Sequence, residues 1–140
     1  MENITGTKNY SFGRKLVSFL IFVFPVAYIG ALVTVTVHEI LGHGVVGMLL
    51  GGTSSGLLLR IDGFGSFFFS HFPESMPTAV VTLLAGPFAT LLFGILTVFL
   101  SWIWRRSYFV SLILLVFGAN MLLEGPPYLF WNAYLHVLPG

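Results

Sequence analysis

The sequence predicts an all-α integral membrane protein with three core transmembrane helices, and its composition is the first observation that supports this fold class. Hydrophobic residues make up 56% of the 140 residues and charged residues only 8%, whereas soluble globular domains carry about 25% charged residues. Most of the surface must therefore face lipid. The length fits a single membrane-embedded domain, 1–140. The composition excludes a soluble enzyme, and the net charge of +1 excludes a nucleic-acid-binding module.

Three stretches are apolar and long enough to cross a bilayer, for which a helix needs about 20 residues. They are 16–50, 77–104 and 108–123. At about 1.5 Å per residue the first would extend about 52 Å, which is too long for one straight crossing of a hydrocarbon core of about 30 Å. We therefore expect a long or broken first helix, with Pro25 and Gly30 as the places for a break or kink.

Positively charged residues predict the orientation of the chain. Arg14-Lys15 precedes the first span at the end of a polar N-terminal arm (1–14), and Arg105-Arg106 separates the second span from the third. Because Lys and Arg concentrate on the cytoplasmic side of membrane proteins, we expect both clusters and the N-terminus to face the cytoplasm. The segment 51–76 then opens toward the opposite side.

Residues 51–76, between the first two core spans, differ in composition from the rest of the chain. The segment begins with Gly- and Ser-rich turn residues and continues as two apolar runs on either side of Asp62-Gly63. An Asp-Gly step between apolar runs indicates a small membrane-associated β-hairpin. An extended peptide can add as a further strand to the free edge of such a hairpin. A plain re-entrant loop or interfacial anchor is the alternative.

Three ionisable residues lie within six positions in the middle of the first apolar stretch: His38, Glu39 and His43. Ionisable side chains at membrane depth are expensive and are functional candidates by default. Two neutral imidazoles can bind a zinc ion, and a carboxylate between them can accept a proton from the water that the metal activates. The alternative is a structural cluster of hydrogen-bonded side chains inside a helix bundle.

The spacing of the two histidines exceeds the usual H-E-x-x-H pattern by one residue. His43 follows His38 by five positions, which is about 140° around an ideal α-helix, so their rings would not converge. A π-bulge accommodates one extra residue and is frequent at functional sites. Because Gly42 makes such a distortion easier, we predict a π-bulge between the two histidines.

Glu124 is the only acidic residue in the third span. A buried carboxylate needs a cation, and a zinc ion is a suitable one, so Glu124 is a candidate metal ligand together with His38 and His43. A glutamate at the membrane boundary that faces water is the alternative. His71 and His136 are weaker candidates, because single histidines near an interface are more often ordinary boundary residues.

The chain resembles the site-2 protease family of intramembrane zinc metalloproteases over roughly residues 33–130. The motifs that carry the resemblance are His38-Glu39 with His43, the apolar Gly-rich hairpin segment, Ala85-Gly86-Pro87 with Ala89-Thr90, and Asn120 followed by Pro126-Pro127. The order of these motifs within a three-span chain is more specific than any one of them.

The resemblance implies that His38 and His43 hold zinc, that Glu39 is the general base, and that a third ligand lies on the third core helix. It also implies hydrolysis of peptide bonds in or near the transmembrane segments of membrane-protein substrates. The chain departs from the family at three places. The spacing of the two histidines has one extra residue, and Thr90 replaces the usual Asn. Tyr128-Leu129-Phe130 occupies the place where an Asp ligand usually follows the prolines. Glu124 is the best replacement for that Asp by depth and charge.

The sequence therefore predicts a multi-pass zinc metalloendopeptidase. A catalytically inactive relative that binds and regulates membrane proteins is the alternative, since the usual Asp ligand is missing. A transport or proton-relay subunit would distribute ionisable residues along a path through the membrane. Here they concentrate at His38, Glu39, His43 and Glu124, which disfavours that function.

Overall fold

The computed structural model describes residues 5–73 and 75–137 and shows a helical protein with one small antiparallel sheet. In chain order the elements are α1 (Thr5–Thr36), a π-helix (Val37–Val45), α2 (Val46–Leu49), β1 (Thr53–Leu59), β2 (Gly65–His71), α3 (Met76–Ile103) and α4 (Tyr108–Val137). The predicted fold class, including the hairpin after the first span, is confirmed.

Three helical stretches are long and apolar enough to span a membrane: Phe12–Leu49, Met76–Ile103 and Tyr108–Tyr128. They coincide with the three predicted spans to within about five residues. Each is longer than the roughly 20 residues that a bilayer requires. The chain is therefore an integral membrane protein.

The interior of the protein is polar, the reverse of a soluble domain. The buried polar or charged side chains are Thr34, His38, Glu39, Thr82, Thr90 and Ser101, whereas only Val35 and Met121 are buried hydrophobic residues in the described part of the chain. Several hydroxyl groups bond to the backbone of their own helix, as Thr34 does to the carbonyl of Gly30 at 2.8 Å. Lipid offers no hydrogen-bonding partner, so polar groups turn inward and are satisfied there.

The first span is one long helical path. α1 begins at Thr5, so most of the predicted polar arm is helical, and it continues past Pro25 and Gly30 without interruption. A Cβ at Gly30 would lie 2.9 Å from Nδ2 of Asn120. This glycine therefore permits a close approach of α1 and α4 and does not break the helix. The departure from α-helical geometry lies further along, in the π-helix.

The hairpin folds back along the first span. Leu59 pairs with Gly65 at its closed end, and Gly63 in the connecting turn has a φ of +85°, a conformation that favours glycine. The hydroxyl of Tyr28 in α1 donates to the carbonyl of Ile61 in this turn at 2.6 Å. The turn is thus tied to α1 well before the π-helix begins.

Glycines provide the surface on which β2 rests. A Cβ at Gly44 would lie 2.5 Å from the ring of Phe67, and a Cβ at Gly47 would lie 2.3 Å from the ring of Phe69. Any larger residue at these positions would push the hairpin outward. The aromatic rings of β2 are therefore seated directly against the backbone of the π-helix and α2.

The second and third spans form a helical hairpin. α3 begins after Ser75, whose side chain accepts a hydrogen bond from the N–H of Thr78 at 3.3 Å, as an N-cap residue does. The connection between α3 and α4 is short, and the hydroxyl of Ser111 donates to the carbonyl of Ser101 across it at 3.0 Å. This hairpin places the Gly86-Pro87 step of α3 beside the π-helix.

The contact between the π-helix and α3 depends on two glycines. A Cβ at Gly42 would lie only 2.3 Å from the Cα of Gly86, so a Gly42→Ala substitution must force the two helices apart. We expect a loss of about 1–3 kcal/mol in the free energy of unfolding, as is typical of overpacking. Denaturant-induced unfolding of the full chain in detergent micelles measures this.

Gly13→Ala is the matched control, because a Cβ at Gly13 has no atom within 4 Å. Alanine is also the better helix former, so this variant should be at least as stable as the unmodified chain. Equal unfolding free energies for the Gly42 and Gly13 variants would contradict the close helix contact.

Candidate metal centre

Two histidine rings converge at the middle of the first span. Nε2 of His38 lies 3.1 Å from Nε2 of His43, and the ring centroids are 4.8 Å apart at an interplanar angle of 74°. Both residues lie in the π-helix. Because a π-helix hydrogen-bonds residues five positions apart, side chains with this spacing lie about one turn apart on the same face. The predicted π-bulge is confirmed, and it is the local feature that brings the rings together.

The glycine at position 86 leaves room for this pair. A Cβ at Gly86 would lie 2.6 Å from Nε2 of His38 and 2.6 Å from Nε2 of His43. The two nitrogens therefore point at the same place above the α3 backbone. The next residue, Pro87, has no N–H and removes one hydrogen bond from the interior of α3. The backbone of the Gly86-Pro87 step, one of the motifs that carry the family resemblance, therefore lies directly beneath the two histidine rings.

A backbone carbonyl fixes the protonation of His43. Nδ1 of His43 lies 2.8 Å from the carbonyl oxygen of Thr82. Since a carbonyl can only accept, the proton of a neutral His43 ring resides on Nδ1 and its Nε2 carries a lone pair. His43 therefore presents an unprotonated nitrogen toward His38.

The carboxylate of Glu39 is held by the hairpin. Its Oε2 accepts a hydrogen bond from the backbone N–H of Phe67 at 2.8 Å, and a Cβ at Gly65 would lie 2.9 Å from its Cγ. The side chain is buried. The N–H of Phe67 turns toward Glu39 and away from β1, so β2 directs part of its backbone at the centre.

Potential ligand atoms of His38, Glu39 and His43 all lie within 4.8 Å of one another. Zinc binds imidazole nitrogen at about 2.0–2.1 Å, and two nitrogens 3.1 Å apart can both lie at that distance from one ion. The donor set of two imidazoles and a carboxylate is also one that zinc accepts. The residues present therefore fit a divalent metal ion.

Glu124 approaches the centre from a different side. Its Oε1 lies 3.7 Å from Nδ1 of His38, the ring nitrogen that faces away from His43, and it does not belong to the group of three. His71 ends β2 and also lies outside that group. His136 lies near the end of α4, and its side chain is outside the described residues.

A cavity of about 410 Å³ opens between α1, the turn of the hairpin and α4. The polar side chains among the residues that line it are those of Thr34, His38, Glu39, Asp62, Asn120, Glu124 and Tyr128. The amide nitrogen of Asn120 donates to the carbonyl of Val116 at 2.9 Å and lies 3.5 Å from the carbonyl oxygen of Ala27. Both amide hydrogens are thus directed at helix backbone. Glu39 thus lies at the wall of a cavity bordered by α1, the hairpin turn and α4.

Tyr128 is the functional candidate that the sequence reasoning missed. Its ring centroid lies 5.2 Å from that of His38, and it lines the same cavity as Glu39. Its position directly after the Pro126-Pro127 pair, where the resemblance implies a metal ligand, is the sequence feature that could have identified it.

Comparison with known proteins agrees with this arrangement. The family model described as peptidase M50B-like matches residues 15–131, more than four fifths of the chain. No curated protein and no solved structure gives a significant match. The matched region contains the histidine pair, Glu39, Glu124, the second and third spans and nearly all of the first, and it confirms the resemblance that the order of the motifs indicates. The chain therefore belongs to the peptidase M50B-like family, within the site-2 proteases.

Proposed function

We propose that the protein is an intramembrane zinc metalloprotease that hydrolyses peptide bonds in or near the transmembrane segments of membrane proteins. The observation that carries the proposal is the convergence of the two Nε2 atoms beside a buried carboxylate. Nε2 of His43 carries a lone pair, and the 3.1 Å separation suits either a hydrogen bond donated by Nε2–H of His38 or, when the His38 proton lies on Nδ1, one cation held between two lone pairs. The buried carboxylate of Glu39 beside the pair favours the cation, because a divalent ion stabilises its negative charge at membrane depth.

His38 and His43 are the proposed metal ligands in this function. A bound zinc ion would act as a Lewis acid that polarises the scissile carbonyl and promotes the ionisation of water. The sequence prediction adds Glu124 as a third ligand from α4. This role requires its carboxylate to move from Nδ1 of His38 to the opposite side of the ring.

Glu39 is the proposed general base. One of its oxygens, Oε2, is engaged by the N–H of Phe67, and this contact fixes the orientation of the carboxylate. The other oxygen is left to accept a proton from the attacking water and to pass it to the leaving amine. Burial in the polar cavity keeps this proton transfer away from lipid and from bulk solvent.

The hairpin is the proposed binding element for the substrate. Every carbonyl inside a transmembrane helix is hydrogen-bonded, so the substrate must unwind before one can be attacked. An extended segment can be held by pairing with the edge of a strand. Because β2 lies next to Glu39, a substrate paired with it would pass directly beside the base.

The proposed orientation places the N-terminus and the 104–107 connection in the cytoplasm, with the start of the hairpin on the opposite side. Arg14-Lys15 and Arg105-Arg106 support it through the positive-inside rule. Two membrane crossings, the first and the second spans, separate these two clusters and therefore place them on the same side. The lipid bilayer and a membrane-protein substrate are accordingly the partners of this site.

Removing the base should abolish hydrolysis and leave the metal in place. Glu39→Gln is expected to lower kcat by about 10²–10⁴, the usual contribution of general base catalysis. The measurement is cleavage of single-span peptides with a central Gly or Pro, reconstituted with the full chain in liposomes and followed by mass spectrometry. Zinc content of the same variant is the control. Unchanged cleavage by this variant would end the proposal that Glu39 is the base.

Metal content tests the histidine pair directly. The purified chain is expected to contain about one zinc ion per molecule, and His38→Ala or His43→Ala should each lose it, because either change removes one of two converging nitrogens. His71→Ala is the matched control and should retain zinc. A well-folded wild-type chain without metal would favour the alternative, an inactive relative that binds membrane proteins.

The orientation is accessible through cysteine labelling, since the chain contains no Cys. Ser107→Cys, between α3 and α4, should react with a membrane-impermeant maleimide only from the cytoplasmic side. Ser55→Cys, in β1, should react only from the other side. Labelling of both variants from the same side would contradict the three crossings, and a reversal of the two sides would contradict the proposed orientation.

A further inference from the structure

His38 carries the one buried side-chain nitrogen or oxygen atom that has no hydrogen-bond partner in the described part of the chain. This atom is Nδ1, and the residue is only 4% exposed. A buried polar group without a partner is destabilising by about 1–3 kcal/mol. Native proteins rarely leave one in place without a structural or functional reason.

A carboxylate stands next to this nitrogen. Oε1 of Glu124 lies 3.7 Å from Nδ1 of His38, which is beyond hydrogen-bond distance by several tenths of an ångström. The Glu124 side chain is 21% exposed, toward the cavity. It therefore has space to change its rotamer and close the gap to Nδ1.

The other histidine shows what such a partner does. His43 donates from Nδ1 to the carbonyl of Thr82, and this leaves its Nε2 free to bind a cation. For His38 to present a lone pair at the same point, its proton must also reside on Nδ1. A proton on that atom requires an acceptor, and Glu124 is the acceptor that the structure places there.

We propose that Glu124 is a positioning residue that accepts the Nδ1–H of His38 and thereby directs an unprotonated Nε2 at the metal. This inference rests on the metal centre of the proposed function and replaces the predicted role of Glu124 as a third ligand. The candidate donor atoms of His38, Glu39 and His43 lie within 4.8 Å of one another, whereas Glu124 faces the opposite edge of the His38 ring. A carboxylate behind a ligating histidine fixes its tautomer and raises its basicity.

Two substitutions distinguish a positioning residue from a ligand. Glu124→Gln keeps an oxygen that can accept Nδ1–H but is a poor metal ligand, whereas Glu124→Ala removes both functions. Zinc affinity of the full chain in detergent, measured by competition with a chelator, should change less than about threefold for the Gln variant. It should fall by about 10–100-fold for the Ala variant, as is usual when the outer partner of a metal ligand is removed.

The visible spectrum of the Co²⁺-substituted protein provides a second readout that does not depend on activity. Its band positions should be the same in the wild type and both variants, because the directly bound atoms do not change. In the zinc-loaded protein the ¹H resonance of Nδ1–H of His38 should lie further downfield in the wild type than in the Glu124→Gln variant, because a carboxylate is the stronger acceptor. This measurement does not need the Ala variant to fold, and identical ¹H shifts in the two proteins would contradict the hydrogen bond to Glu124.

Asp62→Asn is the matched control, because it removes a different carboxylate from the lining of the same cavity and should leave zinc affinity unchanged. Equal losses of affinity in the Gln and Ala variants, together with a changed Co²⁺ spectrum, would overturn the proposal and make Glu124 a ligand. If the Ala variant binds zinc with wild-type affinity, Glu124 has no role at the metal and the proposal is overturned. Absence of zinc from the wild type would instead refute the metal centre itself.

Discussion

The approach of two imidazole nitrogens to 3.1 Å inside a membrane-spanning helix is the constraint around which the other elements are arranged. It needs a π-helix, because an α-helix would point residues 38 and 43 in different directions. It needs glycine at position 86, because a side chain there would occupy the point at which the nitrogens aim. It also needs Gly42, which lets the widened helix lie directly against α3. The close approach of the two histidine rings therefore explains both the π-helix in the first span and the glycine at position 86 in the second.

The lipid environment explains why so few polar contacts suffice to hold this arrangement. The exterior is apolar and the buried side chains are mostly hydroxyls that bond within their own helix. Few polar contacts therefore link different elements. Three of those that do, at His43, Glu39 and Tyr28, connect the first span to α3, to β2 and to the hairpin turn. Each joins a side chain of the first span to a backbone atom of another element, so each fixes the position of that element.

Much of this could be predicted from the sequence, because the information was local. Apolar runs predicted the spans, Asp62-Gly63 predicted the hairpin, and the five-residue spacing of the histidines required the π-helix. The partners of those side chains could not be predicted in the same way. The carbonyl of Thr82 and the N–H of Phe67 are backbone groups that every residue possesses, so no residue type reveals them. The side of His38 on which Glu124 lies depends on the rotation of α4, which an almost uniformly apolar helix does not encode in its sequence.

The π-helix also has a consequence for how the chain can vary. Because it absorbs one extra residue locally, Gly44 near its end and Gly47 in α2 still face the rings of Phe67 and Phe69. A deletion between the two histidines would convert the turn to ordinary α-helix and leave the downstream surface in register. A single insertion or deletion thus separates the five-residue spacing of the histidines from the four-residue spacing of H-E-x-x-H. The rest of the fold is retained in either form.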